Sequence, residues 1–565
     1  MHWWSKAGYG ATTDANAPPA WRGGAAIAKI QGVRCVFVCG RDPDNSYIPT
    51  LYAFRFYPCD AAYDPTMTEA PALAKIALAP ATEQINSTPL ILPSDRIVVQ
   101  TTKRVLCYDF SNALTFNPNN CALQSPPLIW QYYPTDGFVS EAASPALGYA
   151  NNQGEPGMRT SHIFVAGNLK RLPEDGGGAL EHRATLVALD PLTGTGQNPF
   201  VWQANLDDGF TQAAVTPAIG PIDGDSALRN FVYVATFGNS STRNFFACYS
   251  DNSAAPLWAD LGGTGEINGS FASASIHGNG DVIIPGDDGE VHAFDNVIPA
   301  GSQLTERAAE RTVGEHCSAT AGVFPDRHCV LWEEGNALNR IDDTGPTIEL
   351  AGSRSLQFKE RWVHGAPALD ATNNWYVNTL GQLSAYPDYR KVMAFRNAID
   401  GSSTILKAWQ GGEYIPPQLT IGGQTVNLRQ KFEGQVAMDE DGTLVVCNRG
   451  YVLALNPFAF DFSGNGVIDD EDIDAFALAL TAEPLWRTGY GDAFGVNRLG
   501  VGDCNHDGVF DALDIDCFES RFPVAYGRCA YGAPGDGEGA DRQDEMDWDR
   551  FLETMTWLRN YFDSH

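Results

Sequence analysis

Over the first 458 residues, apolar positions come in short runs broken by Gly, Pro, Asn or Asp, and no amphipathic helix separates the runs. One run keeps returning: an aliphatic or aromatic residue, a small residue or Cys, another apolar residue, then often Asp. It stands at Leu51-Tyr52-Ala53-Phe54, Leu106-Cys107-Tyr108-Asp109, Val187-Ala188-Leu189-Asp190, Ala247-Cys248-Tyr249-Ser250 and His292-Ala293-Phe294-Asp295. Weaker copies follow at Leu338-Asn339-Arg340-Ile341-Asp342, Met393-Ala394-Phe395-Arg396 and Leu453-Ala454-Leu455-Asn456. Eight copies at spacings of 45 to 81 residues indicate a repeat architecture.

Other features keep step with this run. A small-residue turn precedes many copies, at Ser87-Thr88-Pro89, Ala143-Ser144-Pro145, Val215-Thr216-Pro217 and Gly365-Ala366-Pro367, and leads into β-branched runs such as Ile97-Val98-Val99 and Phe231-Val232-Tyr233-Val234. A Trp follows downstream at Trp130, Trp202, Trp258, Trp362 and Trp409. Each unit therefore reads as a small antiparallel sheet, and the series as a mainly β chain folded into a β-propeller over residues 1–458. Eight blades is the expectation, with seven as the near alternative. Cys107 and Cys248 hold equivalent strand positions where a small apolar side chain packs. Cys35 and Cys39 share one face of a strand and cannot easily bond each other, whereas Cys317 and Cys329 flank a short segment and are expected to form a local disulfide.

The stretch Val187-Ala188-Leu189-Asp190-Pro191-Leu192-Thr193-Gly194, ending in Trp202, resembles the quinoprotein-type (PQQ-like) propeller repeat, in which strand, Asp, Thr-Gly turn and Trp recur. The opening His2-Trp3-Trp4 through Gly8 is similar to the start of many such propellers, and Gly24-Ala25-Ala26-Ile27 to Val36-Phe37-Val38 also looks like integrin-type FG-GAP blades. The resemblance implies the fold; it does not transmit an activity.

From Asp461 the pattern changes. Asp461, Ser463, Asn465, Asp469 and Asp472 place oxygen side chains at positions 1, 3, 5, 9 and 12 of a loop with Gly466 at 6, and Val467 offers its carbonyl at 7. Asp503, Asn505, Asp507, Asp511 and Asp514, with Gly508 and Val509, repeat the layout. Calcium takes six to eight hard oxygens, and this spacing wraps a loop around one ion, so two calcium sites are expected. Asp at position 12 and an apolar residue at 8 make these loops similar to the type I dockerin variant of the EF-hand, which implies a small α-helical domain over 459–565. Helices should follow the loops, with Ile473, Phe476, Ala477 and Leu480 on one face and Ile515, Phe518 and Phe522 echoing them.

A third copy, Asp547-Trp548-Asp549-Arg550-Phe551, matches Asp472 to Phe476 and Asp514 to Phe518. Its loop, Asp536 to Asp547, has Ala540 at position 5 and Asp541 in the Gly place, so it is expected to be metal-free or weak. The loop starts at 461 and 503 lie farther apart than in dockerin pairs, so cohesin binding does not carry over directly. Asn456-Pro457-Phe458-Ala459-Phe460 joins the two parts without a polar spacer. The tail is therefore expected to pack on its own or a neighbouring propeller, burying Phe458, Phe460 and the Trp548/Phe551 face.

Charge narrows the function. The chain of 565 residues carries a net −32, which repels phosphate backbones and anionic lipid and excludes nucleic acid as a partner. Residues 461–565 alone hold 23 acids against 7 Arg and no Lys, a density that bound cations would explain. No apolar run is long enough for a transmembrane segment, and Met1-His2-Trp3-Trp4-Ser5-Lys6 does not open like a secretory signal peptide. Twelve Cys without a Cys-x-x-Cys pair fit scattered disulfides, one of them among Cys504, Cys517 and Cys529, and hence an extracellular or cell-surface protein.

Three functions remain open at this level. The first is an exported, calcium-stabilised, non-enzymatic scaffold for protein binding or self-association, in a cell-surface complex or extracellular fibre. The second is a PQQ-dependent quinoprotein dehydrogenase, against which stands the lack of a Cys-Cys pair. The third is a glycan-binding or glycan-active propeller; its carboxylate pair does not stand out, and Asp287, Asp288 and Glu290 read as a turn. Asn86, Asn239 and Asn268 begin N-x-Ser/Thr sequons.

Overall fold

The computed structural model describes residues 3–5, 23–42, 45, 48–56, 70–80, 83, 85, 87–134, 138–139, 143–151, 158–171, 181–206, 218–221, 230–236, 246–250, 254, 256–260, 272–277, 281–286, 289–295, 306–311, 319–333, 337–343, 347–355, 366–370, 374–378, 392–399, 403–407, 418–421, 424–427, 435–439, 442–447, 451–455, 462–463, 470–491, 502, 510–516, 518–519 and 548–564. Among them the chain is mainly β. Seven four-stranded antiparallel sheets and one five-stranded sheet follow one another as a β-propeller, with a two-stranded hairpin of Gln418–Ile421 and Gln424–Asn427 inserted late.

The first sheet contains Ala25–Ile30, Val33–Asp42, Ile48–Arg55 and Ala72–Ala77. The second runs Leu90–Leu92, Arg96–Gln100, Val105–Asp109 and Leu128–Tyr132. In the eighth, Ala437–Met438, Leu444–Cys447 and Val452–Leu455 are completed by the N-terminal strand Trp3–Ser5. Each of the eight recurring runs falls on the last but one strand of a different sheet, counting outward in sheet order. The β-branched runs Ile97 to Val99 and Phe231 to Val234 are the strands just before it, buried on both faces and therefore apolar throughout.

The small residue at the centre of the run has a geometric reason. Cys107 pairs with Trp130, Ala188 with Trp202 and Cys248 with Trp258, and the register slips by one residue immediately afterwards. The same slip follows Ala53, Ala293 and Arg340. A β-bulge there increases the local twist and turns the outer strand across the blade, and a small side chain leaves room opposite a Trp. Ala454 pairs with Trp3, here without a slip, so the N-terminal strand occupies the place of an outer strand in the closing sheet. Trp362 and Trp409 lie outside the described residues.

Burial follows the circuit. Phe37, Leu51 and Ala53 of the first sheet share a core with Ile97, Val99 and Leu106 of the second. Val38, Tyr52 and Phe54 share another with Val445, Val452 and Ala454 of the eighth, which joins the two ends of the series. Arg34 also pairs with Asp439 across that junction, both groups being largely buried.

A belt of hydroxyls ties neighbouring sheets together. The Gly24 N–H donates to Thr88 Oγ1 at 2.7 Å, the Thr88 N–H to Ser144 Oγ at 2.8 Å, and the Ser273 N–H to Thr320 Oγ1 at 2.9 Å. The turns read in the sequence as small-residue punctuation thus carry inter-sheet hydrogen bonds.

The cysteines divide. Cys35 and Cys39 are buried, unbonded and on one strand, as their spacing predicts. Cys329 is a free buried thiol on His328–Glu333, so the expected Cys317–Cys329 disulfide is not formed. Its strand holds it inside the core shared by Ile283 and Val291; Cys317 lies outside the described residues. Cys121, exposed in a turn, is disulfide-bonded.

Beyond the last sheet the described elements are helical: α1 (Asp470–Thr481), α2 (Glu483–Trp486), a π-helical turn Arg487–Gly491, and α3 (Trp548–Ser564). No helix among the described residues is long and apolar enough to cross a membrane.

Candidate metal centre

Four of the twelve expected calcium ligands are described: Ser463, Asp472, Asp511 and Asp514. Asp461, Asn465, Val467, Asp469, Asp503, Asn505, Asp507 and Val509 lie outside the described residues, as do the third loop and Cys504, Cys517 and Cys529. Among the described residues no group of three or more His, Cys, Asp or Glu is gathered so as to hold a metal ion.

The four that are described meet in two pairs, each a position-12 acid with a backbone N–H of its own loop, from position 3 in the first loop and position 9 in the second. Asp472 and Asp514, the position-12 residues of the two loops, are both fully buried carboxylates. The Ser463 N–H donates to Asp472 Oδ1 at 2.8 Å, and the Asp511 N–H donates to Asp514 Oδ2 at 3.0 Å. Each loop therefore folds back on its last acid through a backbone donor. Taking a carboxylate out of water costs several kcal/mol unless positive charge or N–H groups surround it, and a hard divalent cation fits such a buried oxygen. Ser463, at position 3, is itself buried beside Asp472.

The apolar side repeats as the acidic side does. Ile473 and Ile515, one residue after each position-12 Asp, are both buried. Phe476 and Phe518, at equivalent places in the two repeats, stack face to face with centroids 3.7 Å apart and planes 4° from parallel. Phe551, the equivalent residue of the third copy, meets Phe518 at 6.2 Å, while Phe462 packs edge-on against both Phe476 and Phe518. The buried residues of α1 are Asp472, Ile473, Ala475, Phe476 and Ala479; Ala477 and Leu480, expected on the buried face, are only partly covered. The stripe is rotated because the helix buries its Asp as well as its apolar residues. Phe522, Phe458 and Phe460 are outside the described residues.

Sequence reasoning missed the charges on α3. Arg550 pairs with Asp474, and Arg559 with Asp516 at 2.8 Å and with Glu519. Asp474 and Asp516 are equivalent residues, so one helix clasps both repeats at the same position; the recurrence of Asp two places after each position-12 acid was the available signal. The hydrogen bonds that Arg559 donates to Glu519 and Asp516 raise its pKa, and the guanidinium stays charged. Also unforeseen, the Trp486 Nε1–H donates to the Phe462 carbonyl at 3.0 Å and fixes the chain entering the first loop.

In the propeller, buried polar groups hold loops together. Glu83 accepts from Thr101 Oγ1 at 2.7 Å and pairs with Arg104, while Arg41 donates to the Glu83 carbonyl at 3.1 Å. Arg327 bridges Asp281 at 2.7 Å and Asp343 at 3.4 Å, and His277 lies 3.3 Å from Asp343. Tyr376 donates to Asp370 Oδ2 at 2.8 Å, and burial raises its pKa. Burial pushes the Cys35, Cys107 and Cys447 thiols up to about 12, and the Cys39 and Cys329 thiols upward as well, so these five are protonated packing groups. Asp287 and Asp288 are outside the described residues, and Glu290 begins a strand after the positive-φ Gly289, in keeping with a turn.

No family model matches the chain, and no curated protein matches it. Solved structures similar to it include Sqt1 from Chaetomium thermophilum, at 13% identity and TM-score 0.48, covering 77% of this chain and 97% of that one. BamB from Moraxella catarrhalis is similar at 15% identity and TM-score 0.35, with coverage of 66% and 97%. The Dos1 propeller is similar at 11% identity and TM-score 0.46, with coverage of 80% and 94%. At these values the circuit of sheets, not its neighbours, carries the fold.

Proposed function

We propose that the protein is an exported, calcium-stabilised, non-enzymatic scaffold for protein binding or assembly. In this reading an eight-bladed propeller over 1–458 carries a dockerin-like module over 459–565. The observation that carries it is the matched pair of buried position-12 acids, Asp472 and Asp514, each closed by its own loop's backbone N–H and backed by the Phe476–Phe518 stack. Two buried anions at the same position of two loops are what a pair of calcium sites would use.

The blade count is supported by the one-to-one match between the recurring runs and the sheets. Export is supported by disulfide-bonded Cys121, since such bonds persist in oxidising compartments. A scaffold role is supported by the propeller's described buried acids Glu83, Asp281 and Asp343, which meet Arg, His and Thr in structural contacts. A protein partner, or a second copy of the chain, is the ligand class this reading takes.

Equilibrium dialysis of the full chain against calcium, followed by metal analysis, tests the reading. Two ions per chain are expected, and one each for Asp472→Ala and Asp514→Ala. Metal-free protein in millimolar calcium would overturn it.

A further inference from the structure

We propose that the C-terminal module is a latch on the ring, holding shut the seam at which the N-terminal strand completes the eighth sheet. The eighth sheet is built from very short strands: two residues in Ala437–Met438, four in Leu444–Cys447, four in Val452–Leu455 and three in Trp3–Ser5. By contrast, the first sheet has a ten-residue strand, Val33–Asp42, paired over eight positions with its neighbour. A ladder as short as that of the eighth sheet gains little from its own pairing, so packing on its two faces must hold it.

Those faces are covered by different bodies. Val445, Cys447, Val452 and Ala454 join the core of the first sheet. The alternate residues Leu444, Val446 and Leu453 belong to one continuous buried cluster with Phe462, Ile473, Ala475, Phe476, Ala479 and Trp486 of the module. The same cluster takes in Tyr376, Val392 and Ala394 of the seventh sheet and runs on through Phe551, Met555 and Leu558 of α3. Only six positions separate Leu455, the last strand residue, from Phe462, whose carbonyl is held by Trp486. Opening the module therefore strips one face of the sheet that closes the ring, while the second sheet, whose core lies wholly within the propeller, loses nothing.

The latch rests on packing; that calcium tightens it rests on the calcium reading above, and the two are separable. Hydrogen exchange is followed on the full chain and on Phe476→Asp, which places an unpaired carboxylate among the stacked rings and melts α1. Exchange at Leu444–Cys447 and Val452–Leu455 is expected to rise about tenfold or more together with α1, with Arg96–Gln100 unchanged. Melting of α1 with the eighth sheet still protected overturns the latch. Should the variant fail to fold, native-state exchange of the wild type in rising urea decides: α1 and the eighth sheet open as one unit if the latch holds, and separately if it does not. A chelator that leaves α1 protection unchanged removes calcium from the account without touching either result.

Discussion

The hydroxyl belt shows how much one side-chain atom carries in this fold. Thr88, Ser144 and Thr320 each receive the backbone N–H of the preceding sheet, but the matching position before Pro367 is Ala366, which has no hydroxyl to offer. Ala366→Ser supplies the missing oxygen at the cost of a single atom in a half-buried site. It is expected to stabilise the chain by about 1 kcal/mol, the net worth of one such bond, seen as a higher urea midpoint at unchanged slope. An unchanged or lower midpoint would deny the belt any energetic role. The buried thiols give a second expectation at this scale. Cys35, Cys107 and Cys447 are raised from 9.0 to about 12 by burial, so the fold favours their neutral forms. Their contribution is complete below pH 9, where both states are protonated, and is lost as pH climbs towards 12, because the unfolded chain ionises first. Stability measured by denaturant at stepwise pH should fall over that window, and replacing all three by Ser should flatten the fall; an equal slope in the triple variant counts against it.

Among the elements, α3 sets charge against packing. Arg559 is 40% exposed and meets Asp516, which is 86% exposed, so water screens the pair and Arg559→Ala should cost less than about 1 kcal/mol. Phe551 is 1% exposed at the end of the aromatic stack, and Phe551→Ala should cost about 3–5 kcal/mol, read from the full chain by urea unfolding. Packing should therefore decide whether α3 stays docked; a larger loss in the arginine variant would reverse that ranking. This division also explains what could be read in advance. The equivalence of Phe476, Phe518 and Phe551 was legible because the motif Asp-x-Asp-x-Phe recurs, yet a periodicity measured on one helix could not reveal that α1 would bury Asp472 and leave Leu480 half out. Cys329 misled for a related reason: proximity along the chain to Cys317 says nothing of the strand that turns its thiol inward. The belt was visible only as punctuation, since a Ser or Thr before Pro looks the same whether or not a neighbouring sheet uses its oxygen.

For the whole molecule, the ends of the series carry the question of closure. Trp3 faces Ala454 in register, as Trp130 faces Cys107 two sheets onward, so the first residues of the chain complete a sheet begun more than 400 residues later. Such a junction forms last when a chain folds in order, because contacts of that separation carry the largest loop-closure cost. It also leaves a hazard. Without Trp3–Ser5 the strand Val452–Leu455 becomes an open edge, a row of unpaired N–H and C=O groups able to pair with another chain. The Arg34–Asp439 pair and the core of Tyr52, Val445 and Val452 would keep the first and eighth sheets together, so the predicted outcome is self-association and not general unfolding. Trp3→Gly combined with Trp4→Gly should therefore retain the second sheet's exchange protection while the chain gains a concentration-dependent dimer by light scattering. A double variant that stays monomeric with the eighth sheet still protected would show that the last three strands hold their edge unaided, and the register with Trp3 would then be a consequence of closure, not its cause.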